Sequence, residues 1–483
     1  MRALPISVKL LYGVGQFAEG IKNLAFSIFL LFYYNQVLGL PGWMSGVAVG
    51  IALVFDAVTD PLAGSLSDRT RTPLGRRHPF MYAAIVPLSL GFYLLFVPPA
   101  DLTQWQLFSW MLFFAVLTRA GMTLFHVPHL SLGAELSNDF VERTSVVSTR
   151  QVFSTLGSLF VILAGFAIYF VGTPAQPNGQ FNANQYAPLA MTMAIFMALS
   201  IAVSALGTQS RSRELFQPLA TLQAFSLAAT FNQLARELSE ALSNDSFRWL
   251  FFGVLVIFLM VGVEAALGLH LTTYFWALDE SGNRLFFAAA PIGLLIGALF
   301  TSRLNERFDK KPCIMWGAGG WAFCQFVMVM ARLLDLLPAN GTTELIAILV
   351  GFKFIQGLCV AQALITFGSM VADIVDEHQL LSGRRQEGIF FAAVSFSSKC
   401  ATGLGSALAG FAVSIIGLPE GQGDTGLAQV SPETVMNLGL FFGPGISGLA
   451  IVSLWCMSHH TLDRRRHAEV RSQLDAQLPP AAA

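Results

Sequence analysis

Apolar runs close to twenty residues long recur along almost the whole chain, separated by short polar or Pro/Gly-bearing stretches. Twenty residues of α-helix rise about 30 Å, the thickness of a bilayer's hydrocarbon core. The pattern predicts a polytopic all-α membrane protein. Composition agrees: 54% of the 483 residues are hydrophobic and 12% are charged, where soluble domains carry about 25% charge. Twelve spans are expected, near 10–37, 43–67, 79–98, 104–130, 147–172 and 186–207, then 248–276, 283–303, 312–334, 344–374, 388–417 and 434–458.

Orientation follows from basic residues, which stay on the cytoplasmic side. Arg69, Arg71, Arg76 and Arg77 lie between spans 2 and 3; Arg303, Arg307, Lys310 and Lys311 lie between spans 8 and 9. Arg384 and Arg385 separate spans 10 and 11, and Arg464 to Arg466 follow span 12. The alternate loops "NQVLGLPGW", "PPADLTQWQ" and "GLPEGQGDTGLAQVSPET" hold no Lys or Arg. Both termini are therefore expected in the cytoplasm, in a bacterial inner membrane. The N-terminus lacks a small-residue cleavage site, so span 1 should remain as an anchor.

Residues 208–247 form the longest polar connection and divide the spans six and six. The expected organisation is a six-helix bundle over 1–207, a cytoplasmic connector over 208–247, a second bundle over 248–460 and a tail over 461–483. Helical periodicity in "LQAFSLAATFNQLARELSEAL" predicts an amphipathic helix in the connector, tethering the halves in preference to lying on lipid. "GSLSDRTRTPLGRRHP" after span 2 is echoed by "GALFTSRLNERFDKKP" after span 8. Two related six-span halves suit a secondary transporter. A net charge of −1 suggests no nucleic-acid partner, and five scattered Cys indicate neither a metal site nor a disulfide framework. No HExxH, GxSxG or phosphate-cradling loop stands in a supporting context, so an enzyme is not expected and no cofactor is implied.

Within span 2, "VFDAVTDP" places Asp56 and Asp60 one helical turn apart, on one face. An ionised Asp at a helix centre costs about 2.5–3.5 kcal/mol to insert, and two on one face repel. A bound cation would relieve the pair, as would a proton on one carboxylate. A structural ion pair with Lys22, Arg150 or Lys399 would also serve. Other ionisable groups expected at membrane depth are Glu19, Arg119, His126 and Glu264, and Arg119 could neutralise Glu19, Lys22 and Glu264 as a structural network.

Gly64, Asp68 and Arg69, followed by Gly75, Arg76 and Arg77, make the 2–3 loop motif of the major facilitator superfamily. With "YGVGQF", "DAVTDP" and "VADIVDEHQ…GRRQEG", the chain resembles the glycoside–pentoside–hexuronide:cation symporters over its whole length. The resemblance implies a major-facilitator fold that imports a small organic solute with Na⁺ or H⁺ by alternating access. It implies that Asp56 and Asp60 bind the coupling ion, with no other metal expected. Lys399 would link that site to the substrate, and Arg150 would line the cavity. Gly64, Asp68, Arg69, Arg76 and Arg77 would gate the first half; Asp373, Asp376, Arg385 and Glu387 would gate the second. The chain would act as a monomer in the bilayer.

The pattern also departs from that family. Its span-1 carboxylate falls on Gly20, with Glu19 standing where the preceding lysine is expected. The span-4 aspartate that grips galactosyl hydroxyls falls on His126, and the stacking tryptophan falls on Leu130. A galactoside is therefore not expected. A glycoside, pentoside or uronide remains the first substrate class, with an amphiphile such as a lysolipid as alternative and a non-transporting sensor or scaffold as a reading of another class. His126 can donate, accept or titrate; were it close to Asp56 and Asp60, it would favour H⁺ over Na⁺ as the coupling ion.

Overall fold

The computed structural model describes residues 4–136, 140–173, 178–214, 227–384, 386–421 and 430–477. Among them, eleven helices are long and apolar enough to cross a bilayer. Helix α1 (Ile6–Ala25), continued by π-helical turns at Phe26–Leu30 and Tyr33–Val37, supplies the twelfth. The first half continues with α2 (Gly42–Arg69), α3 (His78–Leu95), α4 (Gln104–Glu135), α5 (Phe140–Leu163) and α6 (Tyr186–Glu214). After α7 (Leu227–Ser243) come α8 (Asp245–His270), α9 (Glu280–Phe308), α10 (Lys310–Leu333), α11 (Thr343–Ser382) and α12 (Glu387–Ile416). The last span is α13 (Pro432–Leu440) joined by a π turn to α14 (Ile446–Ser458), and α15 (Arg464–Gln477) lies beyond it. Among the described residues the fold is all-α, with twelve helical segments of membrane-crossing length.

Several helices outrun their apolar segments. Hydropathy ends α11 near residue 374, yet the helix continues to Ser382, where Gly383 adopts φ +70° and donates to the Gln379 carbonyl at 2.9 Å. Glycine takes that left-handed conformation without a Cβ clash. Asp373 and Asp376 therefore sit on helix.

By contacts the described chain forms two compact units. Unit 1 comprises residues 1–227, 262–284 and 403–435; unit 2 comprises 228–261, 285–402 and 436–483. In unit 1, α1 packs on α5 and α6, and α2 on α4. A backbone seam explains why the end of α12 belongs with α2. A Cβ on Gly46 would stand 2.8 Å from Gly410 Cα and 2.9 Å from the Ser406 carbonyl, and one on Gly410 would stand 2.3 Å from the Gly42 carbonyl. The GxxxGxxxG run Gly42, Gly46, Gly50 lets two helices approach this closely.

The ends of α1 and α8 repeat one capping pattern. Leu38 and Leu40 donate to the Tyr33 and Tyr34 carbonyls at 3.0 and 2.8 Å; Trp276 and Leu278 donate to those of Leu271 and Thr272 at 3.1 and 2.9 Å. The Tyr274 hydroxyl donates to Gln36 Oε1, joining the two ends. Trp276 is fully buried, so it packs inside the protein and does not stand in an interfacial aromatic belt.

In unit 2, α10 packs on α11 and α14. Leu238, Ala241 and Leu242 of the connector helix α7 pack against a core that includes Phe247, Ile374 and Met457. The apolar face of α7 is thus covered by protein at Leu238, Ala241 and Leu242.

Candidate functional site

Helix α2 carries Asp56 buried and Asp60 half-buried. Both face α4, where Arg119 and Thr123 stand one turn apart. Arg119 Nη1 lies 3.2 Å from Asp56 Oδ2, and both side chains are more than nine-tenths buried. The Thr123 hydroxyl oxygen lies 2.8 Å from Asp56 Oδ1 and 2.9 Å from Asp60 Oδ1. The guanidinium also rests 5.1 Å from the centre of the Phe26 ring. Pro61, lacking an N–H, cannot bond the Ala57 carbonyl one turn back, which locally loosens the helix beside Asp60. Arg119 pairs with Asp56, whereas the sequence had grouped it with Glu19, Lys22 and Glu264. Thr123 carried no signal of its own; the spacing of Arg119 and Thr123 on an apolar span was the available clue.

His126 turns to α1. Its Nδ1 lies 3.7 Å from Glu19 Oε1 and 3.4 Å from Gln16 Nε2. The contacts of His126 run to Gln16 and Glu19. Gln16 also reaches His129 Nδ1 at 3.1 Å, and the buried His129 ring stacks on Tyr12 at 4.1 Å. Arg150 is half-buried on α5. Glu19 receives Asn23 Nδ2 at 3.3 Å and Ser154 Oγ at 3.5 Å. These long contacts leave its oxygens with lone pairs to offer. Gly20 could not carry the family's carboxylate, because a Cβ there would lie 1.9 Å from the Ser154 carbonyl. Close packing of α1 on α5 thus leaves no room for a side chain at position 20.

Lys22 is buried on α1, Glu264 is half-buried on α8 and Lys399 is half-buried midway along α12. In unit 2, Lys353 lies 5.0 Å from the Phe286 ring centre and Gln356 donates to Gln325 at 2.9 Å, so both face neighbouring helices.

The 2–3 turn is tightly built. Gly75 takes φ +94° and donates to the Thr72 carbonyl at 2.9 Å. Arg77 bonds Asp68 at 2.5 Å, Ser67 Oγ at 2.6 Å and Glu135 at 2.9 Å, and Arg76 meets the same Glu135 oxygen at 3.1 Å. The partner of Asp68 is thus Arg77 of its own turn. Glu135, at the end of α4, was missed in the sequence. Gly64 faces Val127, whose Cγ1 would lie 3.4 Å from an added Cβ. Arg69 is half-buried.

In unit 2, Lys310 Nζ meets Asp373 at 2.6 Å, while His467 and Arg471 meet Asp376 at 3.2 and 3.4 Å. Glu387 is exposed at the start of α12, and Arg385 lies outside the described residues. Among the described residues no group of three or more His, Cys, Asp or Glu could hold a metal ion.

A polytopic helical bundle holding ionisable side chains inward at membrane depth is the build of a membrane transporter. Residues 11–464 match the family described as MFS/sugar transport protein, and the chain belongs to that family of transporters. It is 26% identical to an uncharacterized symporter, sll1374, of Synechocystis sp., with 98% of this chain and 97% of that protein covered. It is 25% identical to the putative glycoside/cation symporter YagG of Escherichia coli, over 86% and 84% of the two chains. An isoprimeverose transporter of Lactiplantibacillus pentosus is 23% identical over 93% and 88%. Among solved structures, the nucleoside transporter NupG superposes with a TM-score of 0.62 at 14% identity, covering 95% of this chain and 99% of that one. That likeness concerns the fold alone.

Proposed function

We propose that the chain is a cation-coupled symporter that imports a small polyhydroxylated solute, a glycoside, pentoside or uronide, by alternating access. It acts as a monomer in a bacterial inner membrane, with both termini cytoplasmic as the basic loops require. The names of relatives, a glycoside/cation symporter and an isoprimeverose transporter among them, support this reading.

The observation that carries it is the Thr123 hydroxyl between two carboxylates. A hydroxyl has one hydrogen and two acceptor lone pairs. With both acids ionised, one of its two short contacts would set oxygen against oxygen with no hydrogen between. A proton on Asp60 resolves this: Asp60 donates to Thr123 Oγ1, and Thr123 donates to Asp56 Oδ1. Arg119 pairs with Asp56 through its other oxygen, Oδ2, at 3.2 Å. Na⁺ would need several oxygen ligands, and Arg119 already engages Asp56 Oδ2. The coupling ion on this reading is H⁺, carried by Asp60. Glu19, His126 and Arg150 offer acceptors and donors to solute hydroxyls, and Lys399 communicates between the two sites. Asp68, Arg69, Arg76 and Arg77 gate one half on the cytoplasmic side; Asp373, Asp376, Arg385 and Glu387 gate the other.

The test is uptake of isoprimeverose, free pentoses and hexuronates into proteoliposomes under imposed H⁺ or Na⁺ gradients. One solute should accumulate with the H⁺ gradient, and Asp60→Asn should abolish accumulation while leaving insertion intact. Unchanged accumulation in that variant would overturn the assignment.

A further inference from the structure

Helix α15 is too polar to dock by burial alone. Of its sequence "RRRHAEVRSQLDAQ", Val470 and Leu474 are buried. With His467 and Arg471 they make one face at i, i+3, i+4 and i+7, and α15 lies on α11. A fourteen-residue helix is marginal by itself, so its polar contacts decide whether it stays docked. One end is pinned: the Arg464 guanidinium donates to the Asn305 and Glu306 carbonyls at 2.7 and 2.6 Å, and its backbone N–H to Asp309 Oδ2 at 3.1 Å. The remainder depends on a small charge cluster. His467 Nε2 lies 3.2 Å from Asp376 Oδ2 and 3.6 Å from Asp373 Oδ1.

We propose that α15 is a pH-responsive latch, in which His467 and Arg471 clamp Asp376 and Asp373 and cover the end of α11 that carries them. The proposal rests on the reading above for the cytoplasmic placement of this end and for the gating role of the two acids. Among the described residues, His467 faces Asp373 and Asp376 of α11, which also meet Lys310 of α10 at 2.6 Å and Arg471 of α15 at 3.4 Å respectively. With the ring neutral, Lys310 and Arg471 face the two carboxylates. Protonating the ring adds a cation beside both and draws α15 onto α11. Acidification, which protonates an imidazole, therefore closes the latch, and alkalinisation opens it. An open latch leaves Asp373 and Asp376 able to take other partners.

Hydrogen–deuterium exchange of the full chain in nanodiscs tests this without any solute, so a failed symport assay and a failed latch are separate outcomes. After correction for intrinsic exchange, the peptide over 464–477 should be at least about threefold better protected at about pH 6 than at about pH 8, as for a part-buried ion pair. His467→Ala should remove that pH dependence and lower protection at the acid end, and residues 371–382 should lose protection with it. Arg471→Ala should lower protection at both pH values and keep their ratio. Ser472→Ala, on the exposed face, should behave as the wild type. Protection of α15 that is independent of pH, or unaltered in His467→Ala, would overturn the latch.

Discussion

The guanidinium of Arg119 meets the carboxylate of Asp56 at 3.2 Å, with both side chains more than nine-tenths buried in unit 1. Removing one member of such a pair leaves an uncompensated charge, which typically costs about 3–5 kcal/mol. Arg119→Gln should therefore lower the thermal midpoint of the purified protein markedly. The double variant Arg119→Gln with Asp56→Asn should recover most of the loss, because no lone charge remains. Equal destabilisation in the single and double variants would show that the pair is not coupled.

Thr123→Val keeps the shape of the side chain and removes its hydrogen bonds to Asp56 and Asp60. Leaving a buried acceptor unsatisfied costs about 1–3 kcal/mol. The variant should still insert, but its H⁺-driven accumulation should fall by about tenfold or more. Counterflow, which needs no net ion movement, should be less affected. Comparing the two modes in one vesicle preparation checks this.

What the sequence made legible follows from contrast. Asp56 and Asp60 stand out because carboxylates are rare in an apolar span, and the twelve-helix plan follows from run length. Thr123 is invisible by that criterion, since threonine is ordinary in a membrane helix. The side to which His126 turns depends on how α4 is rotated against α1, which spacing along α4 does not determine. The seam glycines were readable as GxxxGxxxG in "GWMSGVAVG", but their partner Gly410 lies more than 350 residues away. Helix α15 was hidden because two apolar residues in a basic tail give almost no hydropathy signal.

At that seam, Gly46→Val should separate α2 from α12. The added Cβ would meet Gly410 Cα at 2.8 Å and the Ser406 carbonyl at 2.9 Å, both backbone atoms that cannot rotate away. Overpacking of this kind costs about 1–3 kcal/mol. The thermal midpoint should fall, whereas Gly448→Ala, at a position with nothing within 4 Å, should leave it nearly unchanged. Similar midpoints for the two variants would mean that the seam adds nothing to stability.

Gly20 tests whether the missing span-1 carboxylate can be put back. In Gly20→Asp, the Cβ would stand 1.9 Å from the Ser154 carbonyl, so α1 and α5 must part before the carboxylate reaches any solute. The variant should be poorly stable and gain no galactoside transport. Glu19→Gln keeps the helix contact and removes only the charge. It should fold normally and lose solute affinity by roughly 1.5–3 kcal/mol, about the worth of a hydrogen bond to a charged group. Solute-dependent protection against thermal unfolding separates the two cases: Glu19→Gln should keep the wild-type midpoint without solute and lose the upward shift with it, while Gly20→Asp should start from a lower midpoint.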